Sequence, residues 1–408
     1  MRWHILIGAV IFLIPTNWFL KLTETFQYLA GNRVDYLIPK VYPLELIVAV
    51  AVLLLLSNRK RAQNLVQSLR AASPVWLGML GVGIVWQLFS PIPVLAISWL
   101  LKLSFLALFV WLIGQHKKLL QSTSFKKTLL FALIGTILFQ SAVTLWQFWT
   151  QGSVFGYWFL GETDLNYFAN ISKVSIQGRE YIAAYGTTAH PNILAGILAV
   201  YLPIVVLLNR IIKNTGITKT LSLLALGLGG LSLLLTFSIS GWLTLGTCSA
   251  VMLAGKHTAI KKYQRISGGL LVASGLAWWG IGFTSMNSTQ LSISRRITLT
   301  QAALHMWLAQ PFFGAGLGQF TLFLEKFSAT TEVVRFLQPV HHVGLLWLAE
   351  TGVWGLALLW KARRYLLLAG AALLPALSLD HYWLTQYNAL VLFALVPLFA
   401  TRLAMEEY

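Results

Sequence analysis

The chain has a single cysteine, Cys248, and very few charges: 10% of its 408 residues are Asp, Glu, Lys or Arg. One cysteine inside an apolar run excludes intramolecular disulfides and cysteine-based zinc sites. A soluble globule carries about 25% charged residues. So little charge, beside 57% hydrophobic residues and 17 Trp, excludes an ordinary soluble domain. Acidic residues are scarcest, 12 against 30 Lys and Arg. The resulting net charge of +18 raises the question of nucleic acid, which the placement of those charges answers. Low-complexity tracts and convincing internal repeats are also missing.

What the chain does have is a series of apolar runs of roughly 18 or more residues, each able to cross about 30 Å of hydrocarbon. Spans are expected near 3–20, 36–57, 73–90, 93–113, 127–148, 191–208, 221–238, 240–255, 266–283, 342–360, 365–379 and 386–403. The basic residues collect in every second connection: Arg59, Lys60, Arg61 and Arg70; Lys117, Lys118, Lys126 and Lys127; Arg210, Lys213 and Lys219; Lys256, Lys261, Lys262 and Arg265; Lys361, Arg363 and Arg364. Intervening loops are poor in Lys and Arg, as the positive-inside rule requires. Placing the basic connections inside puts both termini, with Arg2 and Arg402, in the cytoplasm. The positive balance then reflects topology and attraction to anionic lipid, not nucleic acid. Residues 1–20 resemble a signal peptide in outline. However, no small-x-small site follows and Pro15-Thr16-Asn17-Trp18 interrupts the run, so an uncleaved first span is expected. Lys102 falls within a span, either snorkelling or as a functional charge.

The expected fold is an all-α polytopic membrane protein with about twelve transmembrane helices, one integral domain over 1–408. Two external segments, 149–190 and 284–341, are too long to be turns, and long loops of this kind are usually functional. In the second, Leu299, Ala303 and Trp307, with Leu304 and Leu308, recur at helical spacing. This predicts a helix over Arg296–Gln310 that lies on the membrane or caps a cavity, and Pro311-Phe312-Phe313-Gly314 stops it. The candidates among the ionisable residues of the loops are Arg179, Glu180 and His190, then Arg295, Arg296, His305, Arg335, His341 and His342.

Three patterns stand out. Gly186-Thr187-Thr188-Ala189-His190-Pro191-Asn192 opens a span. It reads equally as a capped helix start with Pro in the first turn or as free N–H groups that hold a phosphate. Arg296 is followed by the amphipathic stretch and Pro311-Phe312-Phe313-Gly314-Ala315-Gly316-Leu317-Gly318-Gln319-Phe320. No strand precedes those glycines, which argues against a dinucleotide loop. The arginine suits either a lipid headgroup or bidentate phosphate binding in a cavity. Third comes His341-His342-Val343-Gly344-Leu345-Leu346-Trp347-Leu348-Ala349-Glu350-Thr351-Gly352. Adjacent histidines make a poor metal pair on a helix, where ligands prefer a spacing of four. One neutral imidazole at a span's outer end serves instead as a general base. Glu350, deeper in the span, needs an Arg or a backbone donor from another helix.

Taken in order, these motifs resemble the O-antigen ligase and O-antigen polymerase family of membrane glycosyltransferases. That family has a Gly-Thr-x-x-His-Pro-Asn type motif entering a span. An external Arg, a helix and a Pro-x-x-Gly-x-Gly segment follow, and then a His-Asn-x-x-Leu…Glu-x-Gly motif. Gly186 to Asn192, Arg296 to Phe320, and His341, Leu345, Glu350 and Gly352 match it, and Asp380-His381-Tyr382-Trp383 looks like a segment near the end of some members. The resemblance covers roughly the second half of the chain. It implies a helical fold of the GT-C type and glycan transfer from a polyprenyl-diphosphate-linked donor on the outer face of the cytoplasmic membrane. The acceptor would be a hydroxyl of a lipid, a growing polysaccharide or a protein. By resemblance His341 is the base and Arg296 binds the diphosphate. Arg179, His190, Asn192, Arg295, Arg335, His342 and Glu350 are expected around the substrate. No cofactor is implied and the family is thought to work without a metal; the external loops hold no Asp-x-Asp pair. Three departures stand beside it. His342 replaces the usual Asn, so either histidine is a candidate base. Ala183-Ala184-Tyr185 lacks a common Arg, with Arg179 its nearest substitute, and Ser238-Ile239 replaces a Ser-Arg pair. The rival reading is a secondary transporter or lipid-linked glycan flippase. Such proteins gather ionisable residues near the midplane, often in paired repeats, and here these residues gather at the outer surface.

Overall fold

A computed structural model describes residues 3–166, 171–213, 215–253 and 291–402. The expected span 266–283, the basic connection before it and Arg2 lie outside those residues. Among the described residues the α-helices of five residues or more are α1 (Trp3–Leu13), α2 (Pro43–Leu56), α3 (Arg59–Arg70), α4 (Pro74–Leu88), α5 (Pro93–Gly114), α6 (Lys117–Gln121), α7 (Thr123–Thr150), α8 (Pro191–Ile212), α9 (Gly216–Leu235), α10 (Ile239–Leu253), α11 (Leu291–Ala309), α12 (Val343–Leu359), α13 (Arg363–Leu379) and α14 (Tyr387–Arg402). Among the described residues there are three two-stranded antiparallel ribbons, the longest pairing Lys173–Ile176 with Arg179–Ile182.

Every expected span among the described residues contains a helix. By length and composition α5, α7, α8 and α9 each suffice to cross a membrane, and α3 with α4 makes a fifth if that pair, bent by 97°, is one span. Helices α2, α10, α12 and α14 are shorter apolar helices, so the figure of about twelve crossings stays an expectation. Two boundaries differ from the sequence reading for clear reasons. The first helix stops at Leu13, before Pro15, whose ring is incompatible with a continuing helix. The second begins only at Pro43, because residues 35–37 form a 3₁₀ turn and Lys40–Val41 a short strand.

Helix α8 is the hub. Its sequence is apolar on every side, and such a helix belongs in the interior; residues Ile193 to Val205 are buried. Helices α7, α9, α10 and α14 pack around it. Small residues permit the close approach: a Cβ on Gly241 of α10 would sit 2.5 Å from Ala195 Cβ of α8. Helix α7 carries a buried polar stripe, Thr136, Gln140, Thr144 and Gln147, at helical spacing. This stripe meets the turn that leads into α8. Gln147 Oε1 accepts from the N–H groups of Tyr185 (3.0 Å) and Gly186 (2.9 Å), and Gln140 Oε1 from that of Thr187 (3.0 Å).

A second, smaller core joins α11 to α12 and holds Leu299, Ala302, Ala303 and Met306 with Phe320 and Leu346. The amphipathic stretch therefore lays this face on protein, while Leu308 is exposed. Helix α12 is broken at Gly352 (φ 61°, ψ −158°), and the Pro311–Phe320 segment is laced into the break. Val353 N–H donates to the Pro311 carbonyl (2.8 Å), Trp354 N–H to that of Phe312 (2.9 Å), and Ala315 N–H to that of Ala349 (2.9 Å). Gly314, Gly316 and Gly318 all have positive φ. This is a backbone-to-backbone junction that side chains at Gly314 and Gly352 would obstruct.

Candidate active site

Four sequence-distant segments converge at the mouth of α8 and α12. Asp380 caps the end of α13 and is 4% exposed. Its Oδ1 accepts from Asn192 Nδ2 (2.9 Å) and its Oδ2 from Ser240 Oγ (2.7 Å), whose hydroxyl lies 3.1 Å from that of Ser238. His341 Nδ1 approaches Asp380 Oδ1 at 4.0 Å, too long for a hydrogen bond, and an imidazolium formed at His341 would face the carboxylate. His341 Nδ1 has no hydrogen-bond partner among the described residues. The His341 and His381 rings meet edge to face, centroids 5.0 Å apart. Behind His381, Tyr36 packs edge-on at 5.4 Å, and Thr385 Oγ1 lies 2.9 Å from its Nδ1.

Burial pushes His341 down to about 3, with the positive charge of Arg296 acting in the same direction and the Leu379 carbonyl opposing. Its imidazole is therefore neutral at physiological pH. His381 is driven well below the ordinary histidine value, mainly by burial. Burial raises Asp380, and the bonds from Ser240 and Asn192 and the Arg296 charge pull it back. Arg296 thus reaches all three groups electrostatically. It stands one turn into α11, half-buried, and makes no ion pair among the described residues.

The two histidines at the entry of α12 are not equivalent. His342 is 4% exposed and caps the helix, its Nδ1 accepting from Leu345 N–H (3.2 Å). His341, with 18% of its side chain exposed, faces the cluster. His190 caps α8, its Nδ1 accepting from Asn192 N–H (3.2 Å), and is exposed. The N–H groups before α8 are already taken by Gln140 and Gln147. With the Asn192 N–H on His190 Nδ1, this segment is a capped helix start.

Glu350 meets backbone donors from outside its helix, one of the two kinds of partner expected. Its carboxylate accepts from Gly318 N–H (2.9 Å) and Phe320 N–H (3.2 Å), pinning the glycine-rich segment. The remaining arginines lie apart. Arg179 is exposed on the hairpin, Arg335 is exposed on a 3₁₀ turn, and Arg295 covers the Phe336 ring at 5.1 Å. The sequence marks Asp380 and His381 only through the Asp-His-Tyr-Trp resemblance and does not mark Ser240. A carboxylate stranded between two apolar runs is the signal that marks the first of them. Among the described residues no group of three or more His, Cys, Asp or Glu is arranged to hold a metal ion.

Chemically, the cluster offers a neutral imidazole beside a carboxylate held by two donors, with an unpaired guanidinium alongside. Residues 223–360 match the family described as O-antigen ligase. No curated protein and no solved structure matches the chain.

Proposed function

Residues 223–360 assign this chain to the O-antigen ligase family, and from that premise we propose that it transfers a glycan from a polyprenyl-diphosphate-linked donor to an acceptor hydroxyl. The chain is a multi-pass membrane protein, and glycan transfer is the chemistry of its family. The donor, the acceptor side and the residue roles that follow are our reading.

The observation that carries it is the unpaired Arg296 beside the neutral His341 and its Asp380 partner. In this reading His341 takes the acceptor's proton as the hydroxyl oxygen attacks the anomeric carbon. A new glycosidic C–O bond forms and the C–O bond to the diphosphate breaks. The proton rests on the imidazole, facing Asp380, and the carrier diphosphate leaves with an added negative charge. Arg296 binds that diphosphate, since a planar guanidinium matches phosphate oxygens bidentately, and stabilises charge where it develops. Asn192 and Ser240 position Asp380. His190 lines the approach, and Arg179, Arg295 and Arg335 stand farther out along the donor or acceptor path. His342 and Glu350 act through the architecture, by capping α12 and fixing the glycine segment. The site faces away from the cytoplasm, with both termini inside, as the alternation of basic loops requires.

The test is purified protein given a polyprenyl-diphosphate glycan and candidate hydroxyl acceptors. Release of carrier diphosphate together with a new glycosidic bond is expected, and Arg296→Ala abolishes both while the protein still folds. Movement of the lipid-linked glycan across liposomes without any new bond overturns the proposal in favour of transport.

A further inference from the structure

The first basic connection is itself a helix, α3, and orientation by charge alone does not account for its form. In Arg59–Arg70 the apolar residues Ala62, Leu65, Val66 and Leu69 recur at i, i+3, i+4 and i+7, which puts them on one face. At 3.6 residues per turn, Arg59 and Arg70 fall along one border of that stripe, Arg61 along the other and Lys60 on the far side. The chain has no acidic residue between Glu45 and Glu162, so no carboxylate near in sequence balances these charges.

The fold leaves this apolar face uncovered. No residue of α3 is buried, and Val66 and Leu69 are 45% and 49% exposed. The helix is nevertheless held at both ends. Asn58 Oδ1 caps it by accepting from Arg61 N–H (3.3 Å), and Arg61 Nη1 donates to the Leu55 carbonyl of α2 (3.4 Å). At the other end α4 is fastened to α12. Trp76 Nε1 donates to the Ala357 carbonyl (3.1 Å) and Trp354 Nε1 to the Met79 carbonyl (2.8 Å). Helices α3 and α4 meet at 97°. Helix α4 has no charged residue and exposes Val75, Val82 and Val85, a surface suited to hydrocarbon. Four basic residues keep α3 out of that layer, and its angle to α4 turns it along the membrane surface. A helix with one apolar face and basic borders lies in just this zone, where long arginine stems follow the apolar edge and the heads reach the phosphates.

We propose that α3 is a binding site for anionic phospholipid. Leu65, Val66 and Leu69 sit among the acyl chains of one leaflet, and Arg59, Arg61 and Arg70 hold headgroup phosphates. A guanidinium matches phosphate oxygens bidentately. A net negative headgroup brings uncancelled charge to three arginines, whereas a zwitterionic one carries its own cation. The binding does not depend on the transferase reading.

The test uses the full chain in lipid nanodiscs, with a fluorophore on Val66→Cys or, on the opposite face, on Asn64→Cys. Cys248 is buried and stays unlabelled. The label at Val66→Cys is shielded from acrylamide in water and quenched by lipid that carries a nitroxide; the label at Asn64→Cys shows the reverse. One basic residue at a membrane surface gives about a fivefold preference. Nitroxide phosphatidylglycerol therefore quenches the Val66→Cys label at a mole fraction at least about fivefold lower than nitroxide phosphatidylcholine does. Arg59→Gln, Arg61→Gln and Arg70→Gln together bring that ratio close to one with an unchanged melting point, while Lys at the same three positions keeps most of it. Equal acrylamide access at the two positions overturns the proposal and leaves the face to a soluble protein partner. Equal quenching by the two lipids overturns it as well, as does a preference that the folded triple Gln variant retains.

Discussion

Replacing Asp380 with Asn removes one charge from the cluster and changes little of its shape. As His341 takes a proton, the imidazolium forms 4.0 Å from the Asp380 carboxylate. At that separation and an effective dielectric near 20, the attraction is about 4 kcal/mol. Donation from Asn192 and Ser240 already draws on the carboxylate's charge, so about 2–4 kcal/mol is lost at the transition state. At 1.36 kcal/mol per decade this slows transfer by about 30-fold to 10³-fold. The assay is the initial rate of carrier-diphosphate release with acceptor in excess, beside a melting curve. The amide still has one oxygen to accept from Asn192 or Ser240, so the melting point holds within a few degrees. A rate within about threefold of wild type, in folded Asp380→Asn protein, would show that the carboxylate is not coupled to His341 and would refute the reasoning.

Two further outcomes follow from the fold. Gly352→Ala places a Cβ 2.5 Å from the Phe312 carbonyl carbon, at φ 61°. Left-handed strain alone costs about 1–3 kcal/mol and the backbone overlap adds to it, so the yield of folded protein in detergent falls sharply; a normal yield with an unchanged melting point contradicts this. Stability is also pH-dependent in a set direction. His341 titrates near 3 when folded and about 6.5 when unfolded, so the unfolded chain binds more protons between those values. His341 then favours the folded state above about pH 6.5. Each unit of acidification below that costs about 1.4 kcal/mol until the folded value is reached. The melting point should drop from pH 6.5 to 4.5, and less steeply in His341→Asn; equal slopes would remove His341 as the cause.

Much of this was readable in the chain, and the unreadable part has physical causes. Apolar runs located the helices because hydrocarbon thickness sets their length, although Pro15 and the short strand at Lys40–Val41 trimmed the first two. The Gly-Thr, Arg and His-His motifs marked segments that do converge. Their division of labour was hidden, because it depends on which atom meets which. His341 and His342 are neighbours in sequence, yet one caps α12 and the other faces Asp380. The glutamines of α7 sit inside an apolar run that gives no hint of their partners, and only the fold shows that they consume the donors before α8. Lys102 was noticed, while Glu45 and Lys40 join it across 57 and 62 residues of chain, beyond any local pattern.

The sharpest test is a side-by-side rate of glycosidic bond formation for His341→Ala and His342→Ala, both checked for folding. His342→Ala loses a helix cap, about 1 kcal/mol of stability, and keeps transfer within a few-fold. His341→Ala loses the base and falls by about 10² or more. Equal rates for the two variants, or greater loss in His342→Ala, would contradict the placing of the chemistry at His341.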